Sequence, residues 1–186
     1  MKRTVVLLAV IVAGLAATPS AHAAKRTCIS GGAHTIMLEG KVSIVSLDTK
    51  ESTTYYGCWV PSGKRFKLGT ADDWDESLWD IVDGRYIGVY RFTSGGEGDL
   101  SADARTWDAK SGKVRFKFGS CSSAPYSAVF YTGGGIAYRC SDESVHAIDD
   151  KGQRVLDTNG TELGVSMKGD RIYWMNGDTA KSVEVG

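Results

Sequence analysis

After residue 23 the chain never sustains the three- and four-residue apolar spacing of an amphipathic helix. Short stretches rich in Val, Ile, Tyr, Phe and Trp are instead separated by Gly, Asp, Ser and Asn. Two elements recur. A glycine turn leads into an apolar strand at Gly40-Lys41-Val42-Ser43-Ile44, at Gly84 to Tyr90, at Gly135 to Tyr138 and at Gly169 to Trp174. A polar turn leads into an alternating strand at Ser62 to Gly69, at Ser111 to Gly119 and at Lys151 to Leu156. The turn glycines 63, 112 and 152 stand 49 and 40 residues apart, the length of a four-stranded unit. In Arg65-Phe66-Lys67-Leu68 and in Val114 to Phe118 the period is two, so one face is apolar and the other basic, as suits an edge strand protected by charge.

The pattern therefore predicts an all-β domain of about four short antiparallel units. They span residues 24–70, 71–119, 120–158 and 159–186. Strands are expected at His34 to Leu38, Val42 to Leu47, Tyr55 to Val60 and Arg65 to Leu68 in the first unit. The second has Leu78 to Val82, Tyr86 to Phe92, Arg105 to Asp108 and Val114 to Phe118. The third has Tyr126 to Tyr131, Ile136 to Cys140, Val145 to Asp149 and Arg154 to Leu156. The fourth, with Leu163 to Met167, Ile172 to Met175 and Lys181 to Val185, is one strand short. A strand at Arg26 to Ile29 is expected to complete it and close a ring, since closure removes sheet edges. An open, curved array of the same units is the alternative.

Composition narrows the function classes. Of 186 residues 42% are hydrophobic and 24% charged, a globular profile. Lys2-Arg3, the apolar run from Val5 to Ala17 and Ala21-His22-Ala23 read as a signal peptide over residues 1–23, too short to act as a membrane anchor. Its removal leaves 20 basic against 22 acidic side chains, a net of −2, which does not favour nucleic acid. The mature domain, 24–186, is expected outside the cell membrane and not inserted in it. Cysteines 28, 58, 121 and 140 are then expected as two disulfides. Of three connectivities, Cys28 with Cys58 and Cys121 with Cys140 keeps each bond within one unit, where loops close most easily.

Arg105-Thr106-Trp107-Asp108, before a Gly-containing turn, resembles the Trp-Asp end of a WD-type propeller repeat, although the accompanying Gly-His is absent. The run Val165 to Trp174 with Gly177 and Ser182, together with Tyr56-Gly57-Cys58 and Gly63 to Gly69, is similar to secreted bacterial propeller-like proteins. The resemblance implies a β-propeller-like fold and an exported compartment, and it brings no catalytic residues.

Signatures of chemistry are few. With His22 in the leader, His34 and His146 remain, both in expected strands, where a structural role outweighs a catalytic one. The sequence contains no G-x-S-x-G elbow, H-E-x-x-H pair or phosphate-binding loop. Gly95-Gly96-Glu97-Gly98 reads as a loop, and Asn159-Gly160-Thr161 as a glycosylation acceptor or a plain turn. The densest acidic feature is Asp72, Asp73, Asp75 and Glu76 around Trp74, with Asp80 and Trp79 beyond. It does not match a calcium loop, so no metal or cofactor is expected, but Trp74 and Trp79 among carboxylates form the candidate ligand-binding segment. The expected function is a secreted, non-enzymatic module that binds a protein, peptide or glycan. The alternatives are a carboxylate-dependent hydrolase or lyase on the same scaffold, and a structural envelope protein.

Overall fold

A computed structural model of the chain describes residues 28, 29, 31–71, 76–94, 100–118, 121, 125–161 and 165–185. They form fifteen strands in four antiparallel sheets, each an up-and-down meander in chain order. Sheet 1 holds β1 (Ala33–Glu39), β2 (Val42–Asp48), β3 (Thr53–Trp59) and β4 (Lys64–Thr70). Sheet 2 holds β5 (Glu76–Val82), β6 (Tyr86–Ser94), β7 (Leu100–Asp108) and β8 (Lys113–Lys117). Sheet 3 holds β9 (Pro125–Tyr131), β10 (Gly135–Cys140), β11 (Val145–Asp149) and β12 (Gly152–Asp157). Sheet 4 holds β13 (Val165–Lys168), β14 (Arg171–Asn176) and β15 (Thr179–Glu184). A three-residue helical turn lies at Thr132–Gly134, and no helix among the described residues is long and apolar enough to cross a membrane.

The all-β expectation and the four groups of strands hold, with β4 and β12 longer than expected and β7 the furthest from its expected length. β7 begins at Leu100 rather than Arg105. Its early inward positions are the buried Ala102 and Ala104, side chains too small to give an apolar alternation legible in Ser101 to Arg105.

Consecutive sheets are joined by separate apolar cores. Val42, Ile44 and Leu68 of sheet 1 meet Ile81, Ile87, Val89 and Trp107 of sheet 2. Val82, Tyr86 and Ala104 of sheet 2 meet Ala128, Phe130, Ile136 and Tyr138 of sheet 3. Ala137, Val145 and Ala147 of sheet 3 meet Val165, Ile172 and Trp174 of sheet 4. Alternation along a strand lets the middle sheets serve two cores: Ile87 and Val89 point one way from β6, Tyr86 and Tyr90 the other. That is why β6 and β10 read as nearly continuous apolar runs. The first strands of successive sheets also approach one another, β1 with β5, β5 with β9, and β9 with β13.

The turns repeat in detail. Gly63 N–H donates to the Trp59 carbonyl at 2.9 Å and Gly112 N–H to the Asp108 carbonyl at 2.8 Å, with φ of 64° and 73° that only glycine adopts readily. In both, the serine before the glycine accepts from the lysine after it, Lys64 to Ser62 at 3.2 Å and Lys113 to Ser111 at 3.3 Å. Lys64 Nζ then reaches across to the Ser111 carbonyl at 2.8 Å, linking neighbouring sheets.

Cys28 is bonded to Cys58 and Cys121 to Cys140. Of the expected clasp strand, Arg26 and Thr27 lie outside the described residues, while Cys28 and Ile29 carry no strand assignment. Cys28 packs with Val45, Tyr56 and Cys58 on the face of sheet 1 turned away from sheet 2. Sheet 4 has three strands among the described residues.

Candidate functional site

Asp72, Asp73, Trp74 and Asp75 lie outside the described residues, as do residues 95–99 of the glycine-rich stretch. Glu76 opens β5. Trp79 packs in the core between sheets 1 and 2, its ring centroid 4.7 Å from that of Tyr55 at 50°. Partial burial and the nearby Glu39 push the Asp80 carboxyl up, against a backbone hydrogen bond at Ile81 that draws it down. His34 is exposed on β1, opposite Ser46. Of the adjacent ring pairs, Trp174 turns into the sheet 3–sheet 4 core while Tyr173 faces away.

At the end of the array that carries the β7–β8 and β11–β12 turns, charges are matched in pairs. Arg85 meets Asp108 at 2.6 Å, and Asp108 also accepts the Ser111 N–H of its own turn. Arg115 donates to the Gly133 carbonyl and to Asp150, both at 2.6 Å, while lying 4.9 Å over the Tyr86 ring. Asp149 accepts from Tyr131 Oη, Arg154 and the Lys151 N–H, each at 2.8 to 2.9 Å. Burial would raise the Asp149 carboxyl, but these donors, Arg154 foremost, outweigh it and hold it at about 2. Asp108 is held low in the same way by Ser111 and Arg85 against its burial. Recesses of 290 Å³ and 160 Å³ open here, the first lined by Asp108, Arg115 and Asp150, the second by Tyr131, Asp149 and Asp150. A general acid in a hydrolase needs a raised carboxyl. Asp108 and Asp149 are shifted the other way and suit turn-holding.

At the opposite end, the β10–β11 turn strings three polar groups together. Ser144 Oγ lies 2.5 Å from Asp142 Oδ1 and 2.7 Å from His146 Nε2. With Ser144 O–H donating to the Asp142 carboxylate, the serine oxygen is left to accept from His146, which assigns the imidazole proton to Nε2. That leaves Nδ1 a bare acceptor, buried with no partner, and the ring stacks on Tyr138 at 5.1 Å. Burial lowers the His146 pKa, opposed by Asp142. The serine stands between acid and histidine, whereas a nucleophilic triad needs the histidine between them. His146 is a neutral core group.

Beside the same turn, on the face toward sheet 4, lies a cavity of 310 Å³ lined among the described residues by Tyr126, Arg139, Ser141 and Glu143. Arg139 ends the buried strand β10 opposite Ser127 and Val145 and is only 4% exposed. Its Nε donates to the Gly160 carbonyl at 2.9 Å, and its guanidinium lies 5.7 Å from the centroid of Tyr126, a ring 51% exposed. Arg139 belongs to none of the ion pairs among the described residues. Gly160 holds two of the lining residues in place: it accepts from Arg139, its N–H donates to the Glu143 carbonyl at 2.6 Å, and a Cβ there would meet Val145 at 2.5 Å. Sequence reading passed over Arg139. The signal was present in Gly135 to Cys140, where a single cation interrupts a strand apolar on both faces, a position that demands a partner.

The chain matches no family model and no curated protein.

Proposed function

We propose that the chain is an exported, non-enzymatic binding module whose four meander sheets form a propeller-like array and whose ligand enters the Arg139 cavity. The radial arrangement is supported by first strands that approach one another in chain order and by apolar cores that join each sheet to the next. Export is supported by the leader pattern and by two disulfides that close without leaving a free cysteine among the described residues.

One observation carries the binding assignment: the Arg139 guanidinium is almost fully buried, faces a cavity, and has no carboxylate partner among the described residues. Burying a charge without a counter-charge costs several kcal/mol. A cost of that size persists where an incoming anion offsets it. The test is thermal shift of the oxidised protein against panels of acidic and neutral small ligands, with Arg139→Met in parallel. Stabilisation by acidic ligands, lost in the variant, is expected. Equal responses from both proteins, or a turnover that survives Arg139→Met, would overturn the assignment.

A further inference from the structure

The chemistry of the cavity wall specifies more than an anion. Main-chain groups around it are already committed: Gly160 N–H to the Glu143 carbonyl, Gly160 C=O to Arg139, Cys140 N–H to the Ser144 carbonyl and Glu143 N–H to the Cys140 carbonyl. Peptides recognised by strand addition need such groups free, so recognition here falls to side chains. Those side chains are a guanidinium, a half-exposed aromatic ring, a hydroxyl and a carboxylate.

Each has a defined complement. The buried guanidinium is a rigid fork of donors matched to a carboxylate. Tyr126 offers ring area on which a flat, weakly polar surface can stack. Glu143 is an acceptor on the exposed rim, on a left-handed backbone at φ 68°, and suits the hydroxyl protons of a ligand. Ser141 can donate or accept. One carboxylate, one stacking face and several hydroxyls describe a single carboxylated pyranose ring, and 310 Å³ accommodates one such ring with its bound water.

We infer that this cavity binds a uronic-acid-type sugar, its carboxylate on Arg139, its ring against Tyr126 and its hydroxyls toward Glu143 and Ser141. The inference rests on the binding reading above and deepens it. The probe is digalacturonate, compared by calorimetry and amide chemical shifts with its neutral counterpart digalactose, with acetate, and with a short acetylated peptide ending in a free carboxylate. Digalacturonate is expected to bind at least about tenfold more tightly than digalactose, the scale of one charge-assisted hydrogen-bonded pair, and more tightly than acetate or the peptide, which lack the sugar ring and its hydroxyls. Arg139→Met should abolish that preference while staying folded, with a modestly lower melting temperature because the Gly160 carbonyl loses its donor. Tyr126→Ala, a change at an exposed position, should weaken digalacturonate and leave acetate unaffected. If acetate or the peptide binds as well as digalacturonate, the cavity is a carboxylate site and the sugar assignment is overturned. If no carboxylate binds, or if Arg139→Met binds unchanged, the cavity assignment falls as well.

Discussion

Gly88→Ala turns the contact between sheets 2 and 3 into a measurable sign. Gly88 sits mid-strand in β6, opposite Asp80 and Thr106, on extended backbone that alanine can adopt. In such a backbone alanine alone should gain about 0.5 to 1 kcal/mol over glycine. A Cβ at this position, however, would lie 2.3 Å from Cγ and Cδ2 of Phe130 and 2.7 Å from its Cδ1. These atoms form the anchored base of a ring only 5% exposed, packed among Val82, Tyr86, Ala104 and Ile136, and they cannot swing aside. Relief requires the sheets to part by about an ångström or Phe130 to leave its rotamer, an overpacking cost of about 1 to 3 kcal/mol. For a domain of this size that lowers Tm by roughly 2 to 12 °C. Gly57→Ala provides the contrast: there the near atoms are the ring tip of Phe66 and the terminal methyl of Ile87, which can yield, so its loss should be smaller. The assay is calorimetric melting of Gly88→Ala, Phe130→Leu and the double variant. The double should melt above the sum of the singles, because the shortened side chain vacates the space the methyl needs. A neutral or stabilising Gly88→Ala, or strict additivity, would refute the contact between the sheets.

Other consequences can be tested the same way. Asp149 titrates at about 2 when folded against an unfolded value near 3.8, so its contribution is present above pH 4 and is lost as pH falls through about 2. Acid unfolding of Asp149→Asn should lack that step, worth on the order of 2 kcal/mol, and an unchanged acid limb would count against it. Asp157 accepts from Trp174 Nε1 at 2.7 Å and from Asn176 Nδ2 at 3.0 Å, tying sheet 3 to sheet 4. Asp157→Ala should cost about 1 to 3 kcal/mol and change Trp174 fluorescence, whereas unaltered emission would deny the bond. Cys28→Ser with Cys58→Ser should cost about 2 to 4 kcal/mol by chemical denaturation and increase solvent access to Tyr56; an unchanged midpoint would show that the cover on sheet 1 holds without its bond.

Strands were legible because β-branched and aromatic residues alternate between glycine turns, and a turn such as Trp59 to Lys64 writes its geometry in Ser, Gly and Lys. β7 was shortened because buried alanines at 102 and 104 carry almost no hydrophobic signal, although their smallness lets Phe116, Phe118 and sheet 3 close in. The cavity was illegible for a different reason. Tyr126, Arg139, Ser141 and Glu143 come from β9, the end of β10 and its turn, and Gly160, which holds Arg139 and Glu143, comes from beyond β12. Local pattern records which face of a strand is buried, but not that a glycine in another segment will stand over an arginine. Attention to acidic density drew the eye to residues 72–76, when the more telling oddity was one cation where an apolar residue was due.

The two ends of the array explain how four sheets can be stable without a core between the first and the last among the described residues. Every interior sheet buries both faces, so a terminal sheet must either be covered or be polar. Sheet 4 is mostly polar on its outward face: Ser166, Lys168, Arg171, Tyr173, Ser182 and Glu184 stand there with only Met175 and Ala180 at one end, and Arg171 reaches Ser182 at 3.1 Å and Glu184 at 3.5 Å. Sheet 1 could not be finished that way, because its outward face carries Val45 and Cys58, both fully buried, together with Tyr56. It is covered instead by the segment around Cys28, held there by the bond to Cys58. Loss of the Cys28–Cys58 bond in the Cys28→Ser, Cys58→Ser variant should therefore open the array from sheet 1, while loss of Asp157 opens it from sheet 4. Hydrogen exchange can separate the two by which strands lose protection first, β2 and β3 in one case and β13 to β15 in the other.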